Sequence, residues 1–325
     1  MKVLVWHVHG SWTTSFVQGG HDYLIPTEAD RGPWGVGRPA AWDWPAGAVE
    51  TPPEQLAEAD IDVVVLQRPE ELELIEQWCG RRPGQDVAAV YLEHNTPRGP
   101  AAISRHPLAD RDDIPIVHVT DFNQLMWDNG CAPTVVVPHG IVDPGERYTG
   151  ELDRAAVVIN EPVRRWRVTG TDLLPGFSTA AGIDVFGMGL AGLTERLAQT
   201  PDPPAEGAVR AIDDLPQRRL HDEMARRRLY LHPMRWTSLG LSLLEAMQLG
   251  MPVVALACTE APVAVPPEAG VVSTSVIRLR RAVAELVADP DRATEMGRAA
   301  RKAALADYGL PAFLRRWDDV LGQPR

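Results

Sequence analysis

The sequence predicts an α/β protein of two domains, each built on a parallel sheet. Three observations carry this. Short β-branched runs alternate with helical stretches along the chain, the signature of βαβ units. The chain has 325 residues, more than one hydrophobic core usually serves, so two domains of roughly 150 residues each are expected. Gly140–Gly150 combines Pro144 with glycines and mixed charge, as interdomain linkers do.

In the first half, strands are expected at Lys2–Val8, Ile61–Leu66, Val87–Leu92, Ile116–Val119 and Thr134–Val137. Each is a compact aliphatic run of the kind that buried parallel strands show. Helices are expected at Glu54–Ala59, Glu70–Cys79 and Asp121–Asn129, the last stopped by Gly130. The stretch Pro26 to Pro53 is rich in Pro, Gly and Trp (Trp34, Trp42, Trp44) and reads as a long irregular loop. Its aromatic rings suit core packing first and an acceptor platform second.

The second half restarts with a strand at Arg154–Ile159. Further strands are expected at Ile183–Gly187, Val209–Ile212, Leu229–Leu231, Pro252–Leu256 and Gly270–Val272. Helices are expected at Gln217–Arg227, Leu241–Leu249, Ser275–Ala288, Asp291–Ala306 and Pro311–Leu321. The domains are accordingly placed at 1–145 and 151–305, with 306–325 as a terminal helical segment.

Composition narrows the function classes. Apolar residues make up 45% and charged residues 23%, as in ordinary globular proteins. The formal net charge of −12 argues against nucleic acid as a partner and weakens the case for a broad docking face on anionic lipid. Nearly every cation is Arg, with lysine only at Lys2 and Lys302. An anion bound in the interior must therefore meet Arg, His, backbone N–H groups or helix ends. No apolar run reaches the roughly 18 residues of a transmembrane span, and Met1–Val8 lacks a signal-peptide pattern. The widely spaced cysteines Cys79, Cys131 and Cys258 suggest buried reduced thiols. A cytoplasmic protein is expected.

The segment Leu229 to Ala257 carries the strongest functional signal. A strand ends at His232-Pro233, a loop with Ser238 and Gly240 enters a helix, Gly250 ends that helix, and Pro252 opens the next strand. Gly240 permits close backbone approach to a ligand. The helix start at Ser238, Leu239, Gly240 and Leu241 presents free N–H groups to an anion. Glu245, a turn inside, suits the vicinal hydroxyls of a ribose.

Leu244-Glu245-Ala246-Met247 followed by Gly250-Met251-Pro252-Val253-Val254-Ala255 resembles the retaining glycosyltransferases of family 4, which use two facing Rossmann folds, the GT-B architecture. The resemblance extends to Ala288-Asp289-Pro290-Asp291, Glu295–Arg301, Val119-Thr120-Asp121, the Val137–Asp143 turn, and a Tyr308–Leu321 helix similar to the one that crosses back onto the first domain. It implies two Rossmann-like parallel-sheet domains facing a central cleft.

The resemblance also implies site residues. Gly19 and Gly20 stand for the family's Gly-Gly loop at the donor phosphate. His94, at the carboxyl end of a strand, stands for the histidine that touches the donor sugar. Arg164 matches the family's diphosphate arginine. The expected lysine falls on Thr169, with Arg165 and Arg167 as replacements. The family's first glutamate, a donor-sugar ligand, falls on Thr237, and its second on Glu245. His139 reads as structural. His7 and His9 lie two apart with no third ligand apparent, so no metal is expected.

The implied activity is transfer of a sugar from a nucleoside-diphosphate sugar to an acceptor (glycan, lipid or small molecule), with retention and without metal. The enzyme would be of hexosyltransferase type and would need no cofactor beyond that co-substrate. The alternative is a sugar-nucleotide-binding or scaffold protein of the same fold with impaired catalysis, which Thr169 and Thr237 favour. A sugar-nucleotide epimerase fits the Leu-Glu-Ala-Met segment less well.

Overall fold

A computed structural model describes residues 1–39 and 42–322. Two positions of the Trp-rich stretch and three of the terminal segment thus lie outside the described residues. The chain divides into two compact units, Met1–Val142 with Leu310–Arg325, and Asp143–Gly309.

The first unit runs β1 (Lys2–Val5), α1 (Gly10–Phe16), β2 (Asp22–Pro26), β3 (Ala48–Thr51), α2 (Pro53–Leu56), β4 (Val63–Leu66), α3 (Glu71–Cys79), β5 (Ala88–Glu93), β6 (Ile116–His118), α4 (Asp121–Met126) and β7 (Thr134–Val136). Its seven strands lie in the order β3-β2-β1-β4-β5-β6-β7, all parallel. The second unit runs β8 (Leu152–Val158), α5 (Pro162–Arg165), α6 (Leu174–Ser178), β9 (Gly182–Phe186), α7 (Leu193–Ala198), β10 (Val209–Ala211), α8 (Gln217–Ala225), β11 (Arg227–His232), α9 (Leu241–Leu249), β12 (Val253–Leu256), α10 (Ala261–Ala264), β13 (Gly270–Ser273), α11 (Val276–Ala288) and α12 (Pro290–Asp307). Its six strands lie in the order β10-β9-β8-β11-β12-β13, again all parallel.

Both sheets wind outward from their first strand and then cross back to its other side. The reversal falls between β1 and β4 and between β8 and β11, and ligands of open α/β sheets bind beyond the carboxyl ends of strands at such points. The interior strands β4 and β12 are buried along their whole length, as a sheet covered on both faces requires.

The last helix, α13 (Leu310–Leu321), belongs to the first unit. It packs into an aromatic cluster on α1: the Trp317 ring lies 5.5 Å from Trp12 and 5.0 Å from Phe16. Gly140 is glycine because a Cβ there would collide with Phe313.

Several expectations need correction. The first strand stops at Val5, and helix α1 occupies Gly10–Phe16, where the sequence predicts none. It forms although its Gly, Ser and Thr residues favour helix weakly, because Trp12 through Phe16 are buried. The Pro26–Pro53 stretch is not one loop: Ala48–Thr51 pairs in register with β2 as the edge strand. Two of its tryptophans pack. Trp44 Nε1 donates to Thr14 Oγ1 at 2.8 Å, and the Arg68 guanidinium stands 4.1 Å from the Trp34 ring centre. Helix α4 ends at Met126, short of the expected stop. Trp127 turns extended there and its indole N–H donates to Asn95 O at 2.9 Å. Of the three free cysteines only Cys79 is buried; Cys131 is exposed.

Candidate functional site

In the second unit, the loops at the carboxyl edge of the sheet bring most of the expected residues together. Strand β11 ends on His232, and α9 starts after Gly240, whose added Cβ would come within 2.7 Å of His232 Cε1. Any larger residue would push the helix start off the imidazole. Burial lowers the His232 pKa to about 4, so the ring is neutral, and its Nδ1 has no hydrogen-bond partner. Ser238 and Leu239 are buried and Thr237 is half-buried. The Glu260 N–H donates to Ser238 O at 3.4 Å and ties this loop to the one after β12.

Glu245 projects from the second turn of α9 and is 4% exposed. Gln217 Nε2, from the first residue of α8, donates to Glu245 Oε1 at 3.1 Å. His221 Nε2 lies 3.4 Å from Glu245 Oε2. That approach is not aligned as a hydrogen bond, since the same nitrogen has no bonded partner, so Gln217 provides the anchor and His221 a polar wall.

The cations are less ready than the sequence suggests. Arg164 is 73% exposed and turned onto Glu161, with Nε donating to Oε2 at 2.6 Å. Glu161 itself takes a left-handed backbone (φ 54°, ψ 53°), unusual for a non-glycine residue. Arg165 is half-buried, and burial followed by the neighbouring Arg164 charge lowers its pKa. Arg167 Nη1 meets Asp172 Oδ2 at 3.1 Å. Asp172 also receives both terminal nitrogens of Arg235, at 2.6 and 2.9 Å, an arginine that sequence reasoning passes over. Thr169 is fully buried; its hydroxyl donates to Trp166 O at 3.1 Å and accepts from Thr171 at 2.8 Å. It stands in the core and cannot do the work of an exposed lysine.

In the first unit, His94 follows β5 at the carboxyl edge. Gln67 Nε2 donates to Trp6 O at 2.8 Å, which turns Gln67 Oε1 toward His94 Nε2 at 3.1 Å. The imidazole therefore carries its proton on Nε2. His9 lies against it with ring centres 3.9 Å apart and planes tilted by 46°, and His139 lies nearly parallel at 6.0 Å. Burial, and then the charges that His9 and His139 would carry, hold the His94 pKa well below its usual value. His9 falls to about 4 and His139 to about 3, burial being the main cause in both. The result is a cluster of neutral imidazoles. His9 and Gln67, which follow β1 and β4, are part of this cluster, and their position beyond strand ends is the available signal.

Gly19 and Gly20 are not part of it. They follow α1 and precede β2, whose first residue Asp22 pairs with Lys2 at the start of β1. They lie at the amino edge of the sheet, opposite His94. Gly19 is small because a Cβ would strike the Tyr23 hydroxyl.

Residues 204–303 match the family model described as glycosyl transferases group 1, which takes in α8, β11, α9, β12 and most of α12. Comparison with curated proteins finds no match. Among solved structures the chain is similar to Anabaena HepE in complex with UDP-glucose, at 15% identity over 99% of both chains with a TM-score of 0.72. Sucrose-phosphate synthase from Thermosynechococcus elongatus superposes at 14% identity over 98% of both chains, TM-score 0.73. The fold is GT-B. A glycosyltransferase from Rickettsia africae shares this GT-B fold at 11% identity, 98% and 97% coverage and a TM-score of 0.66.

Proposed function

We propose that this GT-B chain is a glycosyltransferase that takes a sugar from a nucleoside-diphosphate sugar and passes it to an acceptor hydroxyl, with retention and without a metal. The observation that carries the reading is the buried, anchored carboxylate of Glu245 beside the start of α9. It is supported by the glycosyl transferases group 1 match over the same elements and by relatives of this fold whose structures hold UDP or UDP-glucose.

In this reading the second unit holds the nucleotide. Glu245 accepts from the ribose hydroxyls, and the N–H groups at Ser238–Leu241 with the freed Arg164 guanidinium meet the diphosphate. Arg165 and Arg167 are secondary, since one is half-buried and the other engaged. His94, a neutral imidazole of the first unit, stays a candidate contact for a sugar hydroxyl. Transfer breaks the bond from the anomeric carbon to the diphosphate oxygen and forms one to the acceptor oxygen. The acceptor proton passes to the leaving phosphate, so stabilising that phosphate is the main catalytic task. Thr237 holds the place of a donor-sugar ligand, and its hydroxyl offers a neutral contact only.

The test is a thermal-shift panel of UDP, GDP, ADP, TDP and their sugars on wild type and Glu245→Ala, followed by turnover with the donor that binds. One nucleotide is expected to stabilise the wild type. Losing hydrogen bonds to a charged acceptor, about 1.5–3 kcal/mol, weakens it roughly 10- to 100-fold in the variant. A panel in which nothing binds at millimolar concentration sinks the reading. Binding without turnover leaves the scaffold reading, which the buried Thr169 and the occupied Arg164 favour.

The Arg164–Glu161 pair gives a second expectation. An exposed pair is weak and easily exchanged. Glu161→Gln should release Arg164 and tighten nucleoside-diphosphate binding about 3-fold, while Arg164→Ala weakens it. Calorimetric titration decides: a looser complex in Glu161→Gln removes Arg164 from the diphosphate.

A further inference from the structure

The clamp on Glu245 goes further than the donor reading on which it rests. Gln217 and His221 are four residues apart on α8, hence on one face of that helix, and both face the same carboxylate on α9. Helix α8 follows β10 after a short loop at the carboxyl edge of the sheet, so Gln217 stands at the level where a ligand would lie. Its amide donates to Glu245 Oε1 at 3.1 Å across 28 positions of sequence.

We propose that Gln217 is the positioning residue that makes this site specific for ribonucleotides, with His221 closing the other side of the carboxylate. A glutamate side chain has several rotatable bonds, and ordering them on binding takes free energy from the complex. Gln217 orders them beforehand. A carboxylate has about four acceptor positions, so it accepts from Gln217 and from ribose hydroxyls together. A 2′-deoxyribose leaves one acceptor of a desolvated carboxylate without its hydroxyl, and the discrimination is greatest when the carboxylate cannot swing away. Gln217 acts through Glu245 and touches no reacting atom.

The experiment compares dissociation constants of UDP and 2′-deoxy-UDP for the wild type and for Gln217→Met, which keeps the volume and removes the amide. The wild type should prefer the ribonucleotide about 10-fold. The variant should retain its affinity for 2′-deoxy-UDP within about 2-fold and lose most of the preference. Equal weakening of both ligands would mean that Gln217 only supports packing, and an unchanged preference would mean that Glu245 needs no anchor; either overturns the inference. His221→Gln serves as the second variant if Gln217→Met does not fold, with a smaller loss of preference expected. A wild type that binds UDP but does not prefer it to the deoxy form overturns the ribose contact and leaves diphosphate binding intact. A wild type that binds neither UDP, GDP nor ADP overturns the donor reading itself.

Discussion

Acidification from pH 7 to pH 5 is expected to lower the stability of the first unit by about 5 kcal/mol. His94 and His139 are buried and neutral in the folded chain, the former held well below 6.5 and the latter at about 3, chiefly by burial. His9 and His118 are each lowered to about 4, again by burial first. The unfolded chain titrates these groups near 6.5. Above that pH neither state binds the protons, and stability is complete. Below it the unfolded state takes up protons that the folded state refuses, and each such histidine removes about 1.4 kcal/mol per pH unit until its folded pKa is reached. One group opposes them. Burial raises Glu71 to about 7 against the pull of Arg68, so its folded form gains a proton in this window and offsets the equivalent of about one histidine.

Denaturant melts at pH 7 and pH 5 measure the difference, followed through Trp12 and Trp317 of the aromatic cluster between α1 and α13. His139→Leu should reduce the pH slope by about one proton. A slope that stays flat from pH 7 to pH 5 would show that the imidazole cluster is hydrated and titrates normally.

The parts that are legible in the sequence share one physical property: their signals are local. The sequence predicts helix α9 at Leu241–Leu249 and the structure has it there, because a glycine, a hydrophobic face and a second glycine in left-handed conformation bound it within about ten residues. The aliphatic strands β4, β5 and β12 are equally plain. Strand β3 escapes sequence reading because it is four residues long, lies at the sheet edge, exposes Val49 and is followed by prolines. Helix α1 escapes it because its stability comes from burial and not from propensity.

The misreading of Gly19 and Gly20 follows from α1. A pair of glycines some way after the first strand reads as a phosphate loop only if no helix intervenes. With a helix there, the pair lies at the other edge of the sheet. The clamp is illegible for a different reason. Nothing within α8 marks Gln217 or His221, and their meaning comes from α9, which only the packed fold brings alongside. The pairing of Arg164 with Glu161 is close in sequence, but Glu161 sits on a left-handed backbone that no residue preference foretells.

Gly297→Ala should destabilise the second unit by about 3 kcal/mol, against the ordinary rule for helices. Gly297 lies inside α12, where alanine is better than glycine by about 1 kcal/mol on propensity alone. The packing is the reverse of permissive. An added Cβ would overlap the Gly250 carbonyl oxygen, come within 2.9 Å of its carbon and reach Pro252 Cδ at 3.4 Å. These are backbone and ring atoms with nowhere to go. The Gly250 N–H donates to Met247 O at 3.0 Å, Met251 N–H donates to Ala246 O at 3.0 Å, and Leu249 O accepts from both Arg147 and Tyr148. Pro252 then leads directly into β12. The strain must therefore move α12 outward and open the layer over the buried Ala293, Ala300 and Ala304. Thermal melting of Gly297→Ala should fall by several degrees, and a rise would show that α12 floats on α9. The same displacement bears on the C-terminal end of the helix that carries Glu245. A nucleotide that stabilises the wild type should then stabilise this variant less, although Gly297 belongs to the packing layer and not to the carboxyl-edge loops.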